Sequence, residues 1–128
     1  MRFWRKAIFA DLQLQAPAPA GLLLSARELS ASCTGEVPSL IIDVRGSAEY
    51  TAGHIRGAVN IPLGQLSRKI KQIPLEQPVV TYCNMHHRGE SRGERAAAQL
   101  REQGYQAQTL DGGYPGWKEQ GFPVEEAI

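Results

Sequence analysis

Cysteine is scarce in this chain, with Cys33 and Cys83 the only two among 128 residues. That excludes the disulfide framework that staples small secreted domains, and a domain of this size needs none. A reducing, cytoplasmic setting is the expectation. Charge of one sign is missing too: 14 Lys+Arg against 13 Asp+Glu leave a formal net charge of +1. No long-range field therefore favours nucleic acid or an anionic membrane as partner. Long apolar runs are absent as well, none approaching the ~18 residues of a membrane span. Residues 1–15 begin with the basic flank of an export signal, but Asp11 cuts their apolar run to less than such a signal needs. The plainer expectation there is a short amphipathic helix with Met1, Trp4, Ile8 and Leu12 on one face, packed on the domain or on a partner.

What is present is an ordinary globular composition, 42% hydrophobic and 21% charged, in a length suited to one core. Ala16-Pro17-Ala18-Pro19-Ala20-Gly21 favours an extended linker, because its prolines deny helix and sheet bonds. This divides the chain into an arm and linker over residues 1–21 and a folded domain over 22–128. In that domain residues 22–24 read as a strand. Ser25 with Glu28 forms a capping box opening a helix through about Ser32. Leu40, Ile41, Ile42 and Val44 are apolar on both faces, as a strand inside a parallel sheet must be. A second short strand is expected over 59–61. A helix follows over 65–73, with Leu66, Ile70 and Ile73 on one face. A buried strand over 79–82 ends at Cys83. Ser91 with Glu94 is a second capping box, for a helix ending near Gly104. A strand over 106–110, a turn at Asp111-Gly112-Gly113 and a helix over 114–120 complete an α/β pattern with a mainly parallel sheet.

Cys83 is the focus of the chemistry. Ligands of open α/β sheets bind beyond the carboxyl ends of the strands, where the loop Asn84, Met85, His86, His87, Arg88, Gly89, Glu90 and Ser91 lies. Its N–H groups and the first turn of the following helix can converge on a small anion. A thiolate is such an anion, and surroundings of this kind bring a cysteine pKa from about 8.5 into a range of roughly 3.5 to 7.5. Arg88 and Arg92 add positive charge. The competing reading is a cysteine that merely fills space at a strand end, but the residues after it are polar and basic, apart from Met85.

Asp43-Val44-Arg45, Glu49-Tyr50, Gly53-His54-Ile55, Gly57-Ala58, Asn60-Ile61-Pro62, Val80-Thr81-Tyr82-Cys83, Ala96-Ala97 with Leu100, and Asp111-Gly112-Gly113-Tyr114 with Trp117, Pro123 and Val124 follow in an order and spacing that resembles the rhodanese-like (sulfurtransferase) signature from about Leu22 to Val124. The resemblance implies a five-stranded parallel sheet flanked by helices. It also implies sulfur transfer, in which the Cys83 thiolate takes the outer sulfur of a donor such as thiosulfate. The resulting persulfide passes it to a thiol, cyanide or protein acceptor. No metal or organic cofactor is implied. The partners are a small sulfur-containing substrate and a thiol protein acceptor.

The loop departs from that pattern. Family members commonly have about four residues between the cysteine and an arginine that precedes Ser-x-x-Ala-Ala; here Asn84 to Ser91 intervene before Arg92, and Gly93 stands where serine is usual. Arg88 and Arg92 are rival candidates for the anion-binding role. A longer loop also raises a phosphatase or arsenate-reductase alternative, for which Glu90 is the only carboxyl group in the loop to protonate a leaving alkoxide. A non-catalytic protein-interaction module is a further alternative, weighed against by the presence of Cys83. His86 and His87 with Cys83 invite a metal site, yet adjacent histidines rarely converge on one ion, and further ligands would have to come from Cys33 or His54. Asp43 and Arg45 are read as supporting residues, either reaching substrate or fixing the loop through a buried pair. His54 is expected in a turn and Trp117 in the core. Cys33 would serve as a resolving thiol only at disulfide distance from Cys83.

Overall fold

The computed structural model describes residues 22–35, 37–84 and 91–127. The expected arm and linker, and the loop residues Met85, His86, His87, Arg88, Gly89 and Glu90, lie outside the described residues. The elements in chain order are β1 (Leu23–Leu24), α1 (Ala26–Ser32), β2 (Leu40–Asp43), α2 (Ser47–Ala52), β3 (His54–Ile55), β4 (Val59–Asn60), a 3-10 turn at Leu63–Gln65, α3 (Leu66–Lys69), a second 3-10 turn at Ile70–Gln72, β5 (Val79–Tyr82), α4 (Arg92–Glu102), β6 (Ala107–Leu110), α5 (Gly113–Glu119) and β7 (Val124–Glu125).

Five strands form one parallel sheet in the order β1-β6-β5-β2-β4. The central pair β2 and β5 is in register from Leu40 opposite Val79 to Asp43 opposite Tyr82. Parallel strands need crossovers, and the helices that supply them cover both faces. On one face Ile42, Val79 and Cys83 pack with Leu66 of α3 and with Ala96, Ala97 and Leu100 of α4. On the other, Ile41, Val80 and Tyr82 pack with Ala26 and Leu29 of α1 and with Trp117 of α5. Successive strand residues thus alternate between two cores, as the period of two requires. Among the described residues no helix is long and apolar enough to cross a membrane.

Both capping boxes form. The Ser25 hydroxyl accepts from the Glu28 N–H at 3.0 Å and the Glu28 carboxylate accepts from the Ser25 N–H at 3.0 Å; Ser91 and Glu94 repeat the arrangement at 3.3 and 3.1 Å. Each satisfies donors that a helix start leaves without intrahelical partners. α4 ends before Gly104, whose φ of +95° suits glycine.

Three features differ from expectation. The helix over 65–73 is a single α-turn between two 3-10 segments, because the Tyr105 hydroxyl reaches the Ile70 and Ile73 carbonyls at 2.7 and 2.6 Å and draws them out of a regular ladder; Leu66, Ile70 and Ile73 are nonetheless buried. Ser47–Ala52 forms a helix that no periodicity announced, started by the Glu49 carboxylate accepting from the Gly46 N–H at 3.0 Å. His54 lies in a strand rather than a turn, β3 pairing antiparallel with β7 through His54 opposite Glu125 and Ile55 opposite Val124.

Candidate functional site

Cys83 directly follows β5 at the carboxyl edge of the sheet and is buried. Its carbonyl accepts from the Tyr114 N–H at 2.8 Å, so the thiol-bearing residue is tied to the start of α5. Gly112 and Gly113 make that approach possible, their φ values of +86° and +59° lying in the left-handed region where side chains are strained. On the other flank, α4 starts at Arg92 after the buried N-cap Ser91. Its first turn lies hard against the strand end. A Cβ on Gly93 would stand 2.6 Å from the Thr109 hydroxyl oxygen and 3.3 Å from the Tyr82 Cα. Gly93 in place of the usual serine therefore has a packing reason: Thr109 of β6 fills the space a side chain would need. Thr109 donates to the Thr81 carbonyl at 3.0 Å, and Thr81 donates to the Gly93 carbonyl at 2.6 Å. These buried hydroxyls join β6, β5 and the start of α4.

The opposite face of β5 carries a polar brace. The Asp43 carboxylate, fully buried, accepts from Arg45 Nε at 2.9 Å and Nη2 at 2.6 Å, from the Arg45 N–H at 2.9 Å and from the Tyr82 hydroxyl at 2.9 Å. The Tyr82 oxygen in turn accepts from the Ile55 N–H at 3.0 Å. Arg45 also donates from Nη2 to the Gly53 carbonyl at 2.6 Å and from Nη1 to Asn84 Oδ1 at 3.1 Å. Its guanidinium lies 4.4 Å from the centroid of the Tyr114 ring, a cation–π contact. Burial works against the Arg45 charge, but the Asp43 carboxylate outweighs it and raises the guanidinium pKa further. Burial and the Asp43 charge push the Tyr82 phenol far above its ordinary range. Tyr82 thus serves as a neutral donor. Asp43 and Arg45 are consumed in fixing the loop start, the second of the two readings for this pair.

Asn84, the residue after Cys83, is held from both sides: its Oδ1 by Arg45 and its Nδ2 by Glu49 Oε2 at 2.6 Å. Arg92 is partly exposed and places Nη1 3.9 Å from Glu49 Oε1. Of the predicted site residues, the structure brings together Cys83, Asn84, Ser91, Arg92, Asp43 and Arg45. Glu49, Asn60 and Tyr114 were not predicted. Asn60 donates to the Asp43 and Arg45 carbonyls at 2.9 and 3.1 Å, closing the turn after β2. All three lay inside the quoted motifs, but only their partners show what they do.

Cys33 is exposed at the end of α1, which runs back from the carboxyl edge of the sheet. It therefore lies toward the opposite edge from Cys83, and the two form no disulfide. Burial raises its thiol pKa. His54 is occupied: Nδ1 lies 2.7 Å from the Tyr50 carbonyl and Nε2 3.3 Å from Glu125 Oε2, with the ring stacked 3.7 Å from that of Tyr50. Among the described residues no group of three His, Cys, Asp or Glu could hold a metal ion.

A profile of the Rhodanese-like domain matches residues 25–120. The chain is 33% identical over 111 residues to an HTH-type transcriptional regulator of Mycobacterium tuberculosis, covering 85% of this chain but only 46% of the regulator. It is 34% identical over 86 residues to a sulfurtransferase of Allochromatium vinosum, covering 66% of this chain and 77% of that protein. Similar solved structures include a rhodanese-related protein from Thermoplasma volcanium, at 25% identity and a TM-score of 0.71 over 80% of this chain and 95% of that one. A thiosulfate sulfurtransferase from Pseudomonas aeruginosa, at 26% identity and a TM-score of 0.72, aligns over 83% of this chain and 20% of its own. With the parallel five-stranded sheet and the motif residues gathered at its carboxyl edge, the profile match over most of its length makes this chain a member of the rhodanese-like domain family.

Proposed function

We propose that this protein is a sulfurtransferase whose rhodanese-like domain, residues 22–128, moves a sulfane sulfur through a persulfide on Cys83. The observation that carries the reading is the position of Cys83 at the carboxyl end of a central strand, between the Tyr114 N–H that holds its carbonyl and the capped start of α4. Main-chain donors and a helix start at that edge suit an anionic sulfur. The similarity to the Allochromatium vinosum sulfurtransferase supports the same chemistry. In the first step the Cys83 thiolate attacks the outer sulfur of thiosulfate; the new S–S bond forms as the old one breaks, and sulfite leaves with the electron pair. In the second, an acceptor such as cyanide takes the terminal sulfur, giving thiocyanate and restoring the thiolate. No redox change outside the sulfur atoms is needed. The substrate is a small sulfur compound, the acceptor a thiol, cyanide or a thiol protein, and the setting a reducing compartment such as the cytoplasm.

Intact-protein mass spectrometry tests this. Reduced protein incubated with thiosulfate should gain the mass of one sulfur atom, removable by dithiothreitol, and Cys83→Ser should gain none. Absence of the adduct in the wild type with both thiosulfate and a polysulfide would overturn the reading. A second reading then takes its place, a module that recognises a partner protein. It is supported by the regulator of which the matching stretch makes up less than half.

A further inference from the structure

We infer that Glu49 sets which sulfur donors the Cys83 site accepts, by holding Arg92 against the competing pull of an anionic donor. The inference rests on the sulfurtransferase reading and sharpens its substrate class. Glu49 is the third residue of α2, and all of its capacity is in use. Oε1 accepts from the Gly46 N–H at 3.0 Å and faces Arg92 Nη1 at 3.9 Å, while Oε2 accepts from Asn84 Nδ2 at 2.6 Å. It thereby bridges both ends of the loop that follows Cys83, from Asn84 to the first residue of α4.

The consequence is electrostatic. Two arginines of the described residues stand at this edge. Arg45 is buried and already bonded to Asp43 through both Nε and Nη2, so it has little attraction left for a ligand. Arg92, with its side chain 38% exposed, is the cation a donor would meet, and the 41% exposed Glu49 carboxylate is beside it. An incoming dianion such as thiosulfate loses part of the attraction of Arg92 and meets the repulsion of Glu49. A donor with one charge fewer suffers about half as much, since the Coulomb energy scales with the product of charges. The site therefore favours sulfane sulfur on a carrier of low charge, such as an organic thiosulfonate or a persulfide, over thiosulfate.

Thiosulfate and methanethiosulfonate isolate that variable, because a methyl group replaces one charged oxygen. With methanethiosulfonate the Cys83 thiolate takes the outer sulfur and methanesulfinate leaves with the electron pair, so charge and atoms balance as before. In Glu49→Gln the ratio of kcat/KM values should shift roughly tenfold toward thiosulfate, the scale of one unit charge at this range. The shift should reside in KM and should disappear when Arg92→Gln is added. An unchanged ratio, or a shift that persists in full without Arg92, overturns the inference. Glu49→Asp, which keeps the charge but draws it back from Arg92, should show a partial shift in the same direction. It serves if thermal unfolding reveals that the glutamine variant does not fold, and no shift there is equally decisive. If the wild type acquires no sulfur on Cys83 from either donor, it is the sulfurtransferase reading that fails, an outcome distinct from an unchanged ratio.

Discussion

Tyr82 and Cys83 are neighbours in sequence and face opposite sides of the sheet, and those sides are built differently. The Tyr82 side carries charge: Asp43, Arg45 and the phenol form a closed set in which every buried polar group has a partner. The Cys83 side is apolar, with Ala96, Ala97 and Leu100 packed over it and only the hydroxyls of Thr81 and Thr109 breaking the pattern. Contacts through the main chain and Asn84 join the two, namely the Tyr114 N–H on the Cys83 carbonyl and Arg45 on Asn84. The comparison suggests a division of labour in which one face fixes the loop and the other holds the sulfur. Because the link between them is so narrow, each can be perturbed while the other is measured.

The largest effect is expected from Cys83→Ser, which should abolish sulfur transfer altogether while the unfolding midpoint in denaturant changes little. A large loss of stability would show that the thiol also belongs to the brace. Next comes Arg45→Met. Removing one partner of a buried pair leaves the other charge without compensation, a cost of about 3–5 kcal/mol, read as a lower urea midpoint. Adding Asp43→Asn should recover much of it, because the orphaned charge is then gone. If persulfide formation falls in step with folded protein and no further, the brace is structural, as the comparison holds.

Gly93→Ala tests the other face. Its Cβ would meet the Thr109 hydroxyl at 2.6 Å, and overpacking of this kind costs about 1–3 kcal/mol. Thr109→Ser leaves that oxygen in place and should not help, whereas Thr109→Ala should relieve part of the cost in a double-mutant cycle. The smallest effect concerns acid. The Gly57 N–H first, and then His54, hold the exposed Glu125 carboxyl below its ordinary value. The folded state then releases that proton more readily than the unfolded chain does. The stabilisation is complete above the unfolded value of about 4.3 and is lost as pH falls through the folded one. Glu125→Gln should therefore flatten the acid limb of stability below about pH 4.3 and leave neutral pH nearly unchanged, as urea titrations across pH would reveal.

Local signals were legible wherever one stretch of chain settles its own structure. Ser25 with Glu28 and Ser91 with Glu94 each needed only three residues to announce a helix start, and both were found where expected. The run Leu40, Ile41, Ile42 and Val44 is apolar on both faces because both faces of β2 are covered. The two-residue strands β3 and β7 were not legible, since the pairing of His54 with Glu125 spans the second half of the domain. Nor was the broken helix at 65–73, which depends on a hydroxyl from Tyr105. Glu49 was visible as a motif letter, but its role follows from Asn84 and Arg92, both distant in sequence.

Order of elements, family membership and the position of Cys83 at a strand end were thus matters of sequence, because periodicity, caps and motif spacing are properties of neighbouring residues. Three-dimensional packing alone settled that Arg45 is spent on Asp43, that Gly93 makes room for Thr109, and that Glu49 stands between Asn84 and Arg92. Each depends on which groups meet across the sheet edge. Hydrogen bonds and close contacts act over a few ångströms of space, whatever the separation along the chain.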